Sequence, residues 1–193
     1  MKKIILTVFA ASSLLLYSTP SFAFSLSVGI PMSQTITGKQ AGKSYGNAPD
    51  KTSGYFLGVS FLSFGLGMDS YTTKFKTGNC NGCWGVGADA VLKTDMTNIF
   101  YQLPVPVVNL IIGLGKGTTE YDCKLTNGDC SKFYEKGSAT QWYTSIGMPI
   151  IPFFDIHFSY RSITAKNIES KYEEGKKDDN SGSVTGVGIG FNF

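Results

Sequence analysis

The sequence predicts an all-β protein, an eight-stranded antiparallel up-and-down transmembrane β-barrel. Three observations carry the prediction. Apolar residues alternate with glycine or polar residues at period two, so each strand turns one face to lipid and one to the barrel interior. Long polar connections alternate with short ones along the chain. Aromatic residues gather near both ends of the strands, where a bilayer has its interfaces.

The first 23 residues are read as a leader. Lys2 and Lys3 precede an uncharged stretch from Ile4 to Leu16, and a polar segment ends in Ser21-Phe22-Ala23. A basic start, a short apolar core and small residues before the cut describe a secretory signal. The apolar run falls short of the ~20 residues that a spanning helix needs. Cleavage leaves 24–193 as one barrel domain, and Phe24 in place of a cysteine argues against a lipoprotein. Without Lys2 and Lys3, the 17 basic side chains fall to 15 against 14 acidic ones, a net charge near +1. That balance argues against nucleic acid as a partner.

The strands follow in order. Phe24, Leu26, Val28 and Ile30 alternate with Ser25, Ser27 and Gly29. Tyr55 to Phe61 repeats the pattern on odd positions, and Phe64, Leu66 and Met68 continue it on even ones. Between Val91 and Leu103 the parity changes: Leu92 and Met96 suit one face, Ile99 and Tyr101 the other. A bulge near Thr97–Asn98 reconciles them. Val108 to Leu114, Trp142 to Met148 and Phe154 to Tyr160 are the next three strands. The eighth closes the chain at Thr185–Phe193, its even positions nearly bare. Long connections are expected over 32–53, 77–90, 122–138 and 165–182, and short ones near 62–64, 103–107 and 148–153. Phe24, Phe61, Phe64 and Phe193 mark the short-turn end; Tyr55, Tyr71, Tyr121, Trp142 and Tyr160 mark the other.

These strands, the leader and the terminal Gly190-Phe191-Asn192-Phe193 resemble the small outer-membrane barrel family typified by the OmpA membrane domain and OmpX. The resemblance is architectural and spans the mature chain. It implies a multi-pass protein of a Gram-negative outer membrane, surrounded by lipid and lipopolysaccharide; the alternation of long and short connections is expected to leave both termini periplasmic. The resemblance also implies that Phe193 is an assembly signal for the barrel-assembly machinery.

The inward faces offer a polar cluster: Asp69, Tyr71, Gln141 and Tyr143, with Asp155, His157, Ser159 and Arg161 on the seventh strand. Lys93 and Asp95 join it if the fourth strand keeps even-outward parity above its bulge. Such groups pair into a plug or line a narrow solute path. Inward glycines such as Gly65, Gly113 and Gly190 leave room for either. His157-Phe158-Ser159, followed by Glu169, Glu173 and Glu174, is similar to the lipid A 3-O-deacylase family, in which a histidine activates a serine. Tyr160 stands where that family has asparagine, and the parity turns His157 and Ser159 away from lipid.

Four cysteines in an exported chain point to disulfides. Pairing Cys80 with Cys83 and Cys123 with Cys130 closes each loop locally, and bonds between the two loops are the alternative. No histidine accompanies them, which argues against zinc. No pattern calls for a cofactor or metal: Gly113-Leu-Gly-Lys-Gly117 lacks the spacing of a phosphate loop. The expected role is non-enzymatic, surface interaction or envelope structure through external loops, with no particular extracellular ligand indicated. The alternatives are a small-solute pore, then a hydrolase using His157 and Ser159.

Overall fold

The computed structural model describes residues 24–38, 49–75, 91–105, 108–122, 124–125, 128–129, 134–151, 153–166, 168–169, 171 and 177–193. The leader and all four cysteines lie outside the described residues. Eight long strands run Phe24–Ile36, Pro49–Phe61, Phe64–Phe75, Val91–Val105, Val108–Asp122, Gly137–Ile151, Phe154–Thr164 and Gly182–Asn192. Each pairs antiparallel with its neighbours in the chain, and the eighth returns to the first, closing the barrel. At that seam Val28 sits opposite Ile189, and the Phe193 amide donates to Phe24 O at 2.8 Å. Two-residue hairpins, Lys124–Leu125 with Gly128–Asp129 and Ile168–Glu169 with Lys177–Asp178, decorate two of the long loops.

Closure is achieved with tight turns at one end. Leu62 and Ser63 both adopt positive φ, 47° and 74°, between the paired Phe61 and Phe64. Two left-handed residues in succession match the twist of the flanking strands.

The exterior carries a belt of exposed apolar side chains, such as Leu57, Leu66, Ile99, Leu114, Ile146 and Ile189. A soluble domain would bury these groups; a closed barrel in lipid leaves them outside and satisfies every strand's backbone within itself. Beyond the belt the polarity inverts. Tyr71, Leu92, Met96, Tyr121 and Ile163 turn inward and are buried, while Lys74, Lys93, Asp95 and Glu120 face out.

That inversion corrects two expectations. The fourth strand has an unbroken register with both neighbours and no bulge at Thr97–Asn98. Its apolar residues change face because the surroundings change from lipid to water, so Lys93 and Asp95 point outward instead of into the lumen. Tyr71 lies with the inward cluster and Tyr121 is interior too, so the outer girdle keeps only Tyr55, Trp142 and Tyr160 of the residues expected there. A register shift does occur in the first strand, between Pro31 and Ser33. The first and second strands reach Ile36 and back from Pro49, so the connection expected over 32–53 is far shorter.

Candidate functional site

The lumen is the site that the sequence singles out, and the structure brings all eight of its polar residues there. On the seventh strand, alternate positions put Asp155, His157, Ser159 and Arg161 on the inner face. Arg161 is 5% exposed and reaches across to Asp69 on the third strand: Nε donates to Oδ2 at 2.9 Å and Nη2 to Oδ1 at 3.3 Å. The paired donors match the two carboxylate oxygens, which is how a guanidinium satisfies a buried anion. Its Nη1 donates to Ser159 Oγ at 2.6 Å. The flat face lies over the Phe56 ring, 3.4 Å from its centroid, and Tyr143 lies 4.9 Å away. Gln141 Nε2 donates to Asp69 Oδ2 and Asn98 Oδ1, both at 2.6 Å. This clamp ties the second, third, fourth, sixth and seventh strands together at mid-height.

A second network occupies the short-turn end. Asp155 Oδ2 accepts from Asn109 Nδ2 and, at 2.6 Å, from Asn192 Nδ2. His157 places Nε2 3.6 Å from the same oxygen and Nδ1 3.3 Å from Ser145 Oγ. The imidazole lies where neighbouring strands carry Gly147 and Gly190; a Cβ at either would come within 2.6 Å and 2.4 Å of the ring. Gly65 leaves the same kind of space for Phe100, and Gly113 for Tyr143. The inward glycines thus seat large side chains. A cavity of about 50 Å³ remains between the networks, lined by Ser145, His157, Ser159 and Arg161 among others. It has room for a few waters.

Apolar layers stand above the clamp. Phe56, Tyr71, Met96, Ile163 and Val184 form one, and Phe75, Leu92, Tyr121 and Ile168 form another toward the long loops. In that upper layer the Tyr121 hydroxyl accepts from Asn180 Nδ2 at 2.7 Å and lies 3.4 Å from Asp178 Oδ2. Burial, then the Asp178 carboxylate, hold this phenol far above the ordinary tyrosine range, so it stays neutral.

The His157–Ser159 pair does not have the geometry of an activated nucleophile. Ser159 Oγ is taken by Arg161, and His157 faces Ser145 and Asp155. Glu169 is in a loop hairpin at the opposite end of the barrel, 3.8 Å from Lys177. Glu173 and Glu174 lie outside the described residues. Sequence reasoning missed Asn98, because the expected bulge left its facing undecided. It also missed Asn109, Ser145 and Asn192, whose inward parity follows from the alternation but whose partners do not.

No protein-family model matches the chain, and no curated protein sequence matches it. Solved structures do. Neisserial surface protein A is similar at 13% identity and a TM-score of 0.59, over 89% of this chain and 97% of that one. Outer membrane protein W of E. coli matches at 13% identity and 0.52, over 90% and 98%. Ail, the attachment invasion locus protein of Yersinia pestis, matches at 16% identity and 0.52, over 88% and 97%. The chain has the fold of the small eight-stranded outer-membrane β-barrels.

Proposed function

We propose that the chain is a bacterial outer-membrane barrel, exported by a cleaved 1–23 signal, whose external loops serve surface interaction or envelope structure without catalysing a reaction. The observation that carries this reading is the inversion of polarity along the barrel. Where the exterior is apolar the lumen holds the Arg161–Asp69 clamp and the Asp155 network beside a small Phe100–Ile111–Tyr143 cluster; where the exterior is charged, two larger apolar clusters occupy the lumen. A membrane-spanning zone and a water-exposed turret follow from that division. The long connections leave from the turret end, which supports external loops with the short turns and both termini in the periplasm. Lipid and lipopolysaccharide surround the belt, and Phe193 serves the barrel-assembly machinery. Two neighbours in fold carry "surface" or "attachment" in their names, which accords with this role.

A conducting pore needs continuous hydrated space, and the clamp with its two apolar layers stands across the lumen. Reconstituted into planar bilayers, the protein should give no discrete conductance steps. Stable unitary steps would overturn the sealed-lumen reading and favour a small-solute pore.

A further inference from the structure

Just above the apolar belt, the outer face carries a ladder of paired charges. Ser70 donates to Asp95 at 2.6 Å; Lys93 lies 3.4 Å from Asp95 and 3.5 Å from Glu120; Lys136 reaches Glu120 at 3.5 Å. Lys116 stands one rung lower on the fifth strand, exposed, with no ion-pair partner among the described residues. Directly opposite it on the two neighbouring strands are Thr97 and Thr140, also facing outward. Cross-strand neighbours have Cβ atoms ~5 Å apart, so one ammonium and two hydroxyls can converge on a single anion. The next rung down is Ile99, Leu114 and Trp142, exposed to lipid. Below it an apolar groove of about 820 Å³ runs over the second to fifth strands, lined by Phe64, Leu66, Ile99, Tyr101, Ile112 and Leu114 among others. A cation flanked by hydroxyl donors at the head of an apolar groove has the form of an amphiphile's site.

Its height selects the leaflet. Thr97 and Lys116 are each eight residues from the short turn that joins Val105 to Val108. At ~3.3 Å per residue and a tilt of ~40°, that is roughly 20 Å, close to the ~25 Å height of an outer-membrane apolar band. The rung therefore lies at the upper margin of the apolar band, within a lysine side chain's reach of the headgroups on the long-loop side.

We propose that Lys116, Thr97 and Thr140 bind a phosphate of outer-leaflet lipid A, with an acyl chain lying in the groove over Ile99 and Leu114. This rests on the outer-membrane reading, and it gives one anionic lipid a fixed berth on the barrel wall. The lysine supplies charge, and the threonine hydroxyls donate to the remaining phosphate oxygens.

Native mass spectrometry of the full mature barrel, refolded with diphosphoryl lipid A and released in mild detergent, tests it. Wild type and Lys116→Arg should retain one lipid A. Lys116→Ala should lose it about tenfold, the loss expected when a charged hydrogen bond is removed, and Lys116→Glu further still. Thr97→Ala/Thr140→Ala should weaken retention while leaving the lysine in place. Phosphatidylglycerol and dephosphorylated lipid A serve as comparison probes and should be held poorly. Undiminished lipid A on Lys116→Glu, or equal retention of either comparison lipid, would overturn the assignment. Heat-modifiability on unboiled gels is scored in parallel. A wild type that never folds into bilayers sinks the outer-membrane reading, whereas a folded barrel that holds no lipid A sinks only this inference.

Discussion

Arg161 is kept in the lumen by a carboxylate, a hydroxyl and two aromatic rings at once. Removing one partner of such a pair leaves the other charge buried and alone. Arg161→Ala should therefore destabilise the barrel by about 3–5 kcal/mol in urea titrations of the bilayer-folded protein, and Asp69→Leu/Arg161→Met should recover most of that loss. If the double variant were as unstable as the single, an uncompensated charge would not be the cause. His157 and Ser159 present the test of chemistry. His157→Ala and Ser159→Ala should each lower stability by on the order of 1–3 kcal/mol through the partners they leave behind. Neither should change the acylation of lipid A in expressing cells. A lipid A species short of one acyl chain, present with wild type and absent with both variants, would instead establish a deacylase. The inward facing of these residues was legible from period two alone. Their partners were not, because Asp69 and Arg161 are 92 positions apart and only closure brings them together.

The fourth strand shows where reading hydropathy goes astray. Alternation reports which face meets apolar surroundings, and in a barrel that protrudes from lipid the answer reverses partway up. Leu92 and Met96 are on the same face as Asn98 and Phe100, yet their exterior neighbours Lys93 and Asp95 are charged while Ile99 and Tyr101 are not. A bulge mimics that reversal in sequence, and only the register separates the two. The protruding ends of the first and second strands were hidden for a related reason: the inward Gln34 and Thr52, which meet Thr73 of the third strand, are polar like their outward neighbours, so no alternation marks them. Cysteine labelling follows. Asp95→Cys should react with a membrane-impermeant maleimide in intact cells, and Ile99→Cys should not. Unreactive Asp95→Cys in intact cells that labels once the outer membrane is breached would reverse the orientation.

At the scale of the whole barrel, architecture was the most legible property, because eight alternating segments with uneven connections admit few other closed solutions. Phe193 pins one end of the closing seam. Phe193 exchanges backbone hydrogen bonds with Phe24, and the two rings meet at 6.3 Å. Deleting Phe193 opens the end of the seam and removes the residue proposed as the assembly signal. The folded, heat-modifiable fraction should fall; an unchanged fraction and membrane yield would argue against both roles.

The boundary between lipid-facing and charged rungs also acts on the barrel as buoyancy acts on a hull. Sinking by one rung draws Lys116 and then Asp95 into the hydrocarbon, where a lysine costs up to ~2–4 kcal/mol as it nears the midplane. Rising by one rung lifts Ile99, Leu114 and Trp142 into water, forfeiting up to roughly 1.5–3 kcal/mol for each fully exposed aliphatic side chain. Both displacements are opposed, so the barrel has a fixed draught. In a thicker bilayer it is the lipid that must thin around the wall, and a membrane whose hydrocarbon depth matches the belt is the one in which this chain rides without strain.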